Sequence, residues 1–133
     1  MKKLLPSILL TATILAACDG QEKVVDKPYN KGINITPLPA ELVQKEDTFK
    51  LSKSIVFVAN DVTTEKVAGY FAEKIKNSTG YNLGIEKVKP ATGYINLELS
   101  QDVDVTEEGY LLDMTGDGID IKAKTAQGVF YGM

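Results

Sequence analysis

Residues 54–80, SIVFVANDVTTEKVAGYFAEKIKNSTG, decide the fold class because they join a strand-forming run to the clearest helical pattern of the chain. The run begins with β-branched and aromatic residues, which predict a buried strand. Apolar residues then recur every four positions at Val67, Phe71 and Ile75, which predicts a helix over residues 63–78. A buried strand followed by an amphipathic helix indicates a fold that mixes both kinds of element.

The ends of this helix carry their own signals. Thr63 is suited to be the N-cap, because its hydroxyl can accept a hydrogen bond from a free amide of the first turn. Val62 and Val67 would then stand at the two positions of a hydrophobic staple. Gly80 is placed to end the helix in the left-handed conformation.

Further elements are predicted on both sides of this run. Alternating apolar residues indicate strands, and Gly116, Asp117 and Gly118 supply the turn of a hairpin. Thr125 is a suitable N-cap for a final helix. The predicted strands cover residues 33–39, 81–85, 94–99 and the two arms of a hairpin over 110–124. This order predicts an α+β fold, with a mostly antiparallel sheet and helices packed on one face.

The composition excludes several functions. The chain has 133 residues, 15 lysines and no arginine, 18 acidic residues, one cysteine and no histidine. Without histidine there is no Ser-His-Asp or Cys-His nucleophile system. One cysteine without histidine leaves almost no ligands for a structural zinc site. The net charge of −3 argues against a nucleic-acid partner, which requires a basic surface.

The amino terminus indicates export. Residues 1–17 combine two early lysines with a short apolar stretch, which is the layout of a signal peptide. The run LAAC, ending at Cys18, resembles the bacterial lipobox, in which the peptidase cuts before the cysteine and lipid is attached to it. The alternative is ordinary cleavage, with Cys18 incidental. We expect a lipoprotein anchored to a membrane, on the outer membrane at its periplasmic or surface face, with residues 18–32 as a polar tether. Retention on the inner membrane is the alternative, because Asp19 directly after the cysteine resembles the retention signal of enteric bacteria.

Acidic residues form two groups. Asp102, Asp104, Glu107 and Glu108 lie between two predicted strands, and Asp113, Asp117 and Asp120 lie around the hairpin turn. Carboxylates at short spacing can bind Ca²⁺, but the fixed pattern of an EF-hand is absent. Nothing beside them predicts the desolvation that raises the pKa of a catalytic acid. A solvated loop and a tight turn therefore explain both groups, and no catalytic residue is assigned.

Five short motifs give the remaining hundred residues a family resemblance. They are TPLP at 36–39, FKL at 49–51, EGYLL at 108–112, IDIKA at 119–123 and QGVFYGM at 127–133. In this order they resemble the N-terminal domain of family 20 glycoside hydrolases, the β-N-acetylhexosaminidases. The resemblance covers about residues 33–133, and the last motif is similar to the start of the helix that leads into the catalytic barrel.

The resemblance implies a supporting role for this domain. In that family a (β/α)₈ barrel carries an adjacent Asp-Glu pair, and the substrate's own acetamido oxygen is the nucleophile of a retaining hydrolysis. No residue of this chain matches that pair. Glycan would therefore be bound by a barrel outside this chain, and no cofactor is implied. Phe130 and Tyr131 are the candidates for the junction with the barrel. The alternative is that they complete the core of this domain.

Two other functions remain open from the sequence. One is the appended domain of another exported glycosidase. The other is a stand-alone surface lipoprotein that binds glycan or protein. The pattern at residues 125–133 begins a helix without a closing signal, so we expect the sequence to be interrupted within an element; a genuine terminus at Met133 is the alternative.

Overall fold

The computed structural model describes Ile35 and residues 39–133. Every helix and strand of this part belongs to one compact unit, Glu41–Met133. The expected signal peptide, the tether and most of the strand predicted at 33–39 lie outside the described residues. The elements are β1 (Val56–Ala59), α1 (Val62–Thr79), β2 (Gly84–Glu86), β3 (Tyr94–Leu99), β4 (Tyr110–Met114), β5 (Gly118–Ala123) and α2 (Ala126–Gly132). None of the helices in the described part is long and apolar enough to cross a bilayer.

The sheet confirms the α+β class but corrects the expected strand directions. Its order is β2-β1-β3-β5-β4. Of the pairs between described strands, three are parallel and only β4 and β5 are antiparallel, so the prediction of a mostly antiparallel sheet is wrong for this part of the chain. The reason is that α1 carries the chain back across the sheet, so that β2 re-enters in the direction of β1. Residue alternation reports which face a side chain occupies and contains no information on strand direction.

Both helices lie on one face of the sheet, as expected. The helix α1 contacts β1, β2 and β3, α2 contacts β3, β4 and β5, and the two helices contact each other. The core lies between them and the sheet. Its buried members are Ile55, Phe57, Ala59, Ala68, Leu83, Ile95, Leu97, Ile121, Ala123 and Val129.

The first helix begins two residues earlier than its sequence signal. Asp61, not Thr63, is the N-cap, and its carboxylate accepts hydrogen bonds from the amides of Thr63 at 2.8 Å and Thr64 at 2.9 Å. Val62 is consequently the first helical residue and is exposed, so the predicted staple with Val67 is wrong. The other end is as predicted, because Gly80 has φ of 78° and donates its amide to the carbonyl of Lys76 at 2.8 Å.

The second helix lies unusually close to the sheet. Thr125 is its N-cap, as predicted, and accepts a hydrogen bond from the amide of Gly128 at 3.1 Å. A Cβ atom at Gly128 would stand 2.5 Å from the carbonyl oxygen of Gly109. At Gly132 it would stand 2.6 Å from a methyl group of Ile121. Both positions therefore require glycine, because the backbone of α2 rests directly on its neighbours.

Position 118 is occupied by glycine because of side-chain packing and not because of its place in the hairpin turn. Among the described glycines only Gly80 and Gly93 have positive φ, so Gly118 is not needed for a left-handed turn. Instead, Tyr94 is its partner on β3, and the tyrosine ring covers it. A Cβ atom at Gly118 would stand 2.5 Å from that ring, so the aromatic side chain occupies the volume that the glycine leaves free.

Candidate functional site

Exposed aromatic rings cover the outer surface of the helical layer. Tyr70 on α1 and Phe130 and Tyr131 on α2 are 46%, 41% and 51% exposed, and we call these three residues the aromatic patch. The ring centroids of Tyr70 and Phe130 are 5.6 Å apart, and those of Phe130 and Tyr131 are 6.2 Å apart. Phe71 lies beside them, 5.2 Å from Phe130, and is packed against the core. The patch is thus an extension of the core that reaches solvent.

Contacts at the start of α2 fix the orientation of the patch. Thr125 donates its hydroxyl hydrogen to the carbonyl oxygen of Glu107, which ties the helix to the loop before β4. Gln127 donates to the carboxylate of Glu108 at 2.9 Å and to the hydroxyl of Tyr131 at 3.1 Å. Together with the two close glycine contacts, these bonds hold Tyr131 on the outside of the helix. The exposure of the patch therefore follows from packing and not from a loose terminus.

A shallow depression adjoins the patch on α1. Its volume is about 190 Å³, and it is lined by Tyr70, Glu73, Lys74 and Asn77. The ammonium group of Lys74 lies 5.3 Å from the centre of the Tyr70 ring. Binding clefts for small ligands usually measure about 300–1,000 Å³. The depression is therefore smaller than a typical binding cleft for a small ligand.

The opposite face of the sheet carries a polar network centred on Asp120. Its carboxylate accepts hydrogen bonds from Asn96 at 2.9 Å, from the ammonium group of Lys89 at 3.0 Å and from the hydroxyl of Tyr94 at 3.1 Å. Burial, the largest influence, would raise the pKa of Asp120, but these bonds together outweigh it and hold the pKa below its ordinary value. The lowered pKa favours the ionised form of Asp120, in which the carboxylate accepts these three hydrogen bonds.

The acidic residues singled out from the sequence are dispersed. Glu107 accepts a hydrogen bond from Thr125 with its backbone carbonyl, and Glu108 accepts one from Gln127 with its carboxylate. Asp113 forms an ion pair with Lys45. Within the described residues, no group of three or more His, Cys, Asp or Glu is arranged to hold a metal ion. The tight turn predicted from the sequence does not fully explain Asp120, because its carboxylate also bonds to Tyr94, Asn96 and Lys89 on the polar face.

Of the residues predicted for the site, Phe130 and Tyr131 are brought together on the helical layer, and Cys18 lies outside the described residues. Tyr70 is the member of the patch that the sequence did not indicate. Only the placement of α2 against α1 shows that Tyr70 remains uncovered.

The sequence matches the family model for glycosyl hydrolase family 20, domain 2, over residues 32–133. It is also 34% identical, over 121 residues, to a beta-hexosaminidase of Porphyromonas gingivalis (strain ATCC BAA-308 / W83). That alignment covers 90% of this chain but only 16% of the relative. The chain thus spans about a sixth of the length of this curated relative.

Two solved structures show the same fold. A family 20 beta-N-acetylhexosaminidase from Streptomyces coelicolor A3(2) matches with a TM-score of 0.64 and 27% identity, over 71% of this chain and 19% of that one. A mutant Streptomyces plicatus beta-hexosaminidase in complex with its product GlcNAc matches with a TM-score of 0.59 and 28% identity, over 65% of this chain and 17% of that one.

Proposed function

This chain belongs to glycosyl hydrolase family 20, whose domain 2 it carries, and from that premise we propose that it supports the catalytic barrel of an exported, lipid-anchored β-N-acetylhexosaminidase. The domain itself is non-catalytic. Its role is to bind the barrel through the helical layer. The observation that carries this role is the aromatic patch, which is ordered, apolar and exposed.

The position of the patch supports the barrel as its partner. Phe130 and Tyr131 lie in the last turn of α2, and the relative is much longer than the segment that matches this chain. Interfaces between domains of one chain are moderately large and of mixed polarity. The patch provides an apolar centre, with Lys74, Glu73 and Gln127 at its rim. Aromatic side chains at such a centre contribute most of the binding free energy of an interface.

The reaction itself belongs to the barrel. By resemblance to the family, its Asp-Glu pair would remove terminal N-acetylhexosamine from glycans, with the substrate's acetamido oxygen as the nucleophile and retention of configuration. The relatives named beta-hexosaminidases and the GlcNAc complex support this substrate class. No residue of the described domain takes part in that chemistry.

Export and anchoring form the second half of the proposal. The leader at residues 1–17 and the single cysteine at its end support lipid attachment at Cys18. Several acyl chains on one residue would hold the protein firmly on the membrane, since a single chain binds only reversibly. We place the protein on the outer membrane, at the periplasmic or surface face, with residues 18–32 as a tether.

The test of the supporting role uses the parent protein encoded by the reading frame beyond codon 133, assayed on a chromogenic N-acetylglucosaminide. Tyr131→Asp places a charge in the proposed interface. In the 133-residue chain it should leave the free energy of unfolding nearly unchanged, because Tyr131 is half-exposed there. In the parent protein it should lower the free energy of unfolding by about 2 kcal/mol or more. Val88→Asp, at a position that is 76% exposed, is the matched control and should alter neither.

Equal effects of the two substitutions on the parent would contradict the role of the patch. A stop codon directly after Met133 would favour the stand-alone lipoprotein, and a barrel without an Asp-Glu pair would favour another glycosidase. Anchoring is tested by metabolic labelling with a fatty-acid analogue. Label should enter the wild-type protein and be absent from Cys18→Ser, and label in both would contradict attachment at that residue.

A further inference from the structure

The hydroxyl group of Tyr131 belongs to a short row of polar side chains. Its oxygen accepts a hydrogen bond from the side-chain amide of Gln127, with 3.1 Å between the two atoms. The two residues are four positions apart on α2, so their side chains lie one turn apart on the same side of the helix. The same amide nitrogen donates to the carboxylate of Glu108 at 2.9 Å. The row thus connects the loop before β4 with the aromatic patch.

The chemistry of the row fixes the direction of each hydrogen bond. An ionised carboxylate can only accept, so Gln127 turns its NH₂ group, and not its carbonyl oxygen, toward Glu108. That nitrogen carries two hydrogens, one for Glu108 and one for the oxygen of Tyr131. Tyr131 is therefore the acceptor in its bond with Gln127. The hydrogen of its own hydroxyl points away from Gln127 and is available to another group.

The backbone on both sides of Glu108 is fixed against α2. On one side, the carbonyl oxygen of Glu107 accepts the hydroxyl hydrogen of Thr125. On the other side, the carbonyl oxygen of Gly109 lies so close to Gly128 that a Cβ atom there would stand 2.5 Å from it. The carboxylate at the start of the row is therefore held by main-chain packing. The amide and the hydroxyl that follow it inherit a defined position.

The hydroxyl hydrogen of Tyr131 needs an acceptor wherever water is excluded. Tyr131 is 51% exposed, and none of the residues that the structure describes accepts this hydrogen. In the isolated domain, water can accept it. In an interface that covers the aromatic patch, a hydroxyl without an acceptor would cost binding free energy. Tyrosine suits such a place because its ring is apolar and its hydroxyl can bond to the partner.

We propose that Tyr131 donates this hydrogen to a carbonyl or carboxylate oxygen of the catalytic barrel, and that Gln127 is the positioning residue that directs it there. This inference rests on the proposed function, since it names the chemistry of the group that the aromatic patch meets. An ammonium or amide N–H in the same place would face another hydrogen, and both donors would remain unpaired. The row therefore makes Tyr131 selective for an acceptor.

Reversal of the row tests the direction of the bond. The double variant Glu108→Gln with Gln127→Glu exchanges the carboxylate and the amide, so the hydrogen bond between the two positions and the total charge are both kept. A carboxylate at position 127 can only accept, so it takes the hydrogen of Tyr131 and turns it away from the barrel. Tyr131→Phe is the reference, because it keeps the ring and removes the hydrogen.

Hydrogen exchange of the α2 amides provides the measurement, in the 133-residue chain and in the parent protein. In the 133-residue chain, the double variant and Tyr131→Phe should both exchange within about twofold of the wild type, because water replaces the lost partner. In the parent, each should exchange about five- to tenfold faster, which corresponds to the loss of one hydrogen bond. Adding Tyr131→Phe to the double variant should produce no further increase.

The outcomes separate this inference from the proposed function. The quantity compared is the change of exchange rate in the parent beyond the change in the 133-residue chain. If the double variant matches the wild type while Tyr131→Asp exchanges faster, the patch remains the contact and the donated hydrogen is overturned. Additive effects of the double variant and Tyr131→Phe would overturn it as well. If Tyr131→Asp also has no effect, the proposed function is overturned with it.

Discussion

The two helices of this domain share one face of the sheet but are held there in different ways. The helix α1 is long and closed at both ends by its own side chains and backbone, with Asp61 at its start and Gly80 at its end. The helix α2 has seven residues and depends on contacts with distant parts of the chain. The proposed functional surface is mostly on α2. A helix that is positioned by the sheet can present its aromatic residues in a fixed orientation.

The largest expected effect comes from adding one methyl group to α2. In Gly128→Ala the new Cβ atom would overlap the carbonyl oxygen of Gly109 and the side chain of Ala123, neither of which can move freely. We expect a loss of about 3 kcal/mol in the free energy of unfolding, at the upper end for an overpacked core. Urea unfolding of the full chain measures it. An unchanged midpoint would show that α2 can shift, and would remove the basis for a fixed patch.

A smaller loss is expected when the start of α1 is disturbed. Asp61→Ala removes the acceptor for two backbone amides and for the hydroxyl of Thr64. The typical cost of losing an N-cap is about 1–2 kcal/mol. Urea unfolding of this variant beside Asp61→Ser, which keeps an acceptor, provides the comparison. If both variants unfold alike, the cap contributes nothing and α1 is held by its packing alone.

A glycine-to-alanine substitution should destabilise the chain in α2 but should stabilise it in α1. Gly69 lies inside α1, and a Cβ atom there would meet only the methyl end of Ile85 at 4.0 Å. Gly69→Ala should therefore stabilise the chain by about 0.5–1 kcal/mol, because alanine loses less backbone entropy on entering a helix. Thermal unfolding should show a higher midpoint. A lower midpoint would mean that the space beside Gly69 is smaller than the structure indicates.

The smallest effect concerns pH, since α1 starts at a carboxylate and α2 at a neutral threonine. Burial would raise the pKa of Asp61, but hydrogen bonds from Thr64 and Thr63 hold it below its ordinary value. Its contribution is therefore complete above about pH 4 and is lost as the pH falls through the lowered pKa. Asp61→Asn should cost about 0.3–1 kcal/mol at pH 6 and almost nothing near pH 2.

The matched control for this pH effect is Thr125→Ser at the start of α2, whose cost should be the same at both pH values because no charge is involved. Urea unfolding at pH 6 and pH 2 measures both variants. A cost for Asp61→Asn that did not change with pH would contradict the role of the charge.

The contrast between the helices also explains what could be predicted from the sequence. Local signals were sufficient for the existence of α1, for its end at Gly80 and for the cap of α2 at Thr125. The start of α1 was misplaced because Asp61 and Thr63 are both good N-caps and only the backbone decides between them. Strand directions were missed because they depend on which edge of the sheet the chain reaches after α1.

In the candidate site, too, local sequence signals could be interpreted but contacts between distant residues could not. Phe130 and Tyr131 could be proposed from their place in the chain, and the structure shows that both are exposed. Tyr70 could not be proposed, since its exposure depends on how far α2 extends over α1. The network around Asp120 joins the strands β3 and β5 and the loop before β3, and its members Lys89 and Asn96 are 31 and 24 residues away. No local pattern relates such residues.

The place of β5 in the sheet has a consequence for the order of biosynthesis. Among the described strands, β5 is made after all the others, yet it lies between β3 and β4, which leave the ribosome before it. Until β5 arrives, β3 lacks a neighbour on one side and β4 has none among the described strands. The described sheet is therefore complete only when β5 pairs with both β3 and β4. The helix α2 follows β5 in the chain and covers it. During synthesis, the nascent domain must keep those apolar edges from other chains until β5 emerges.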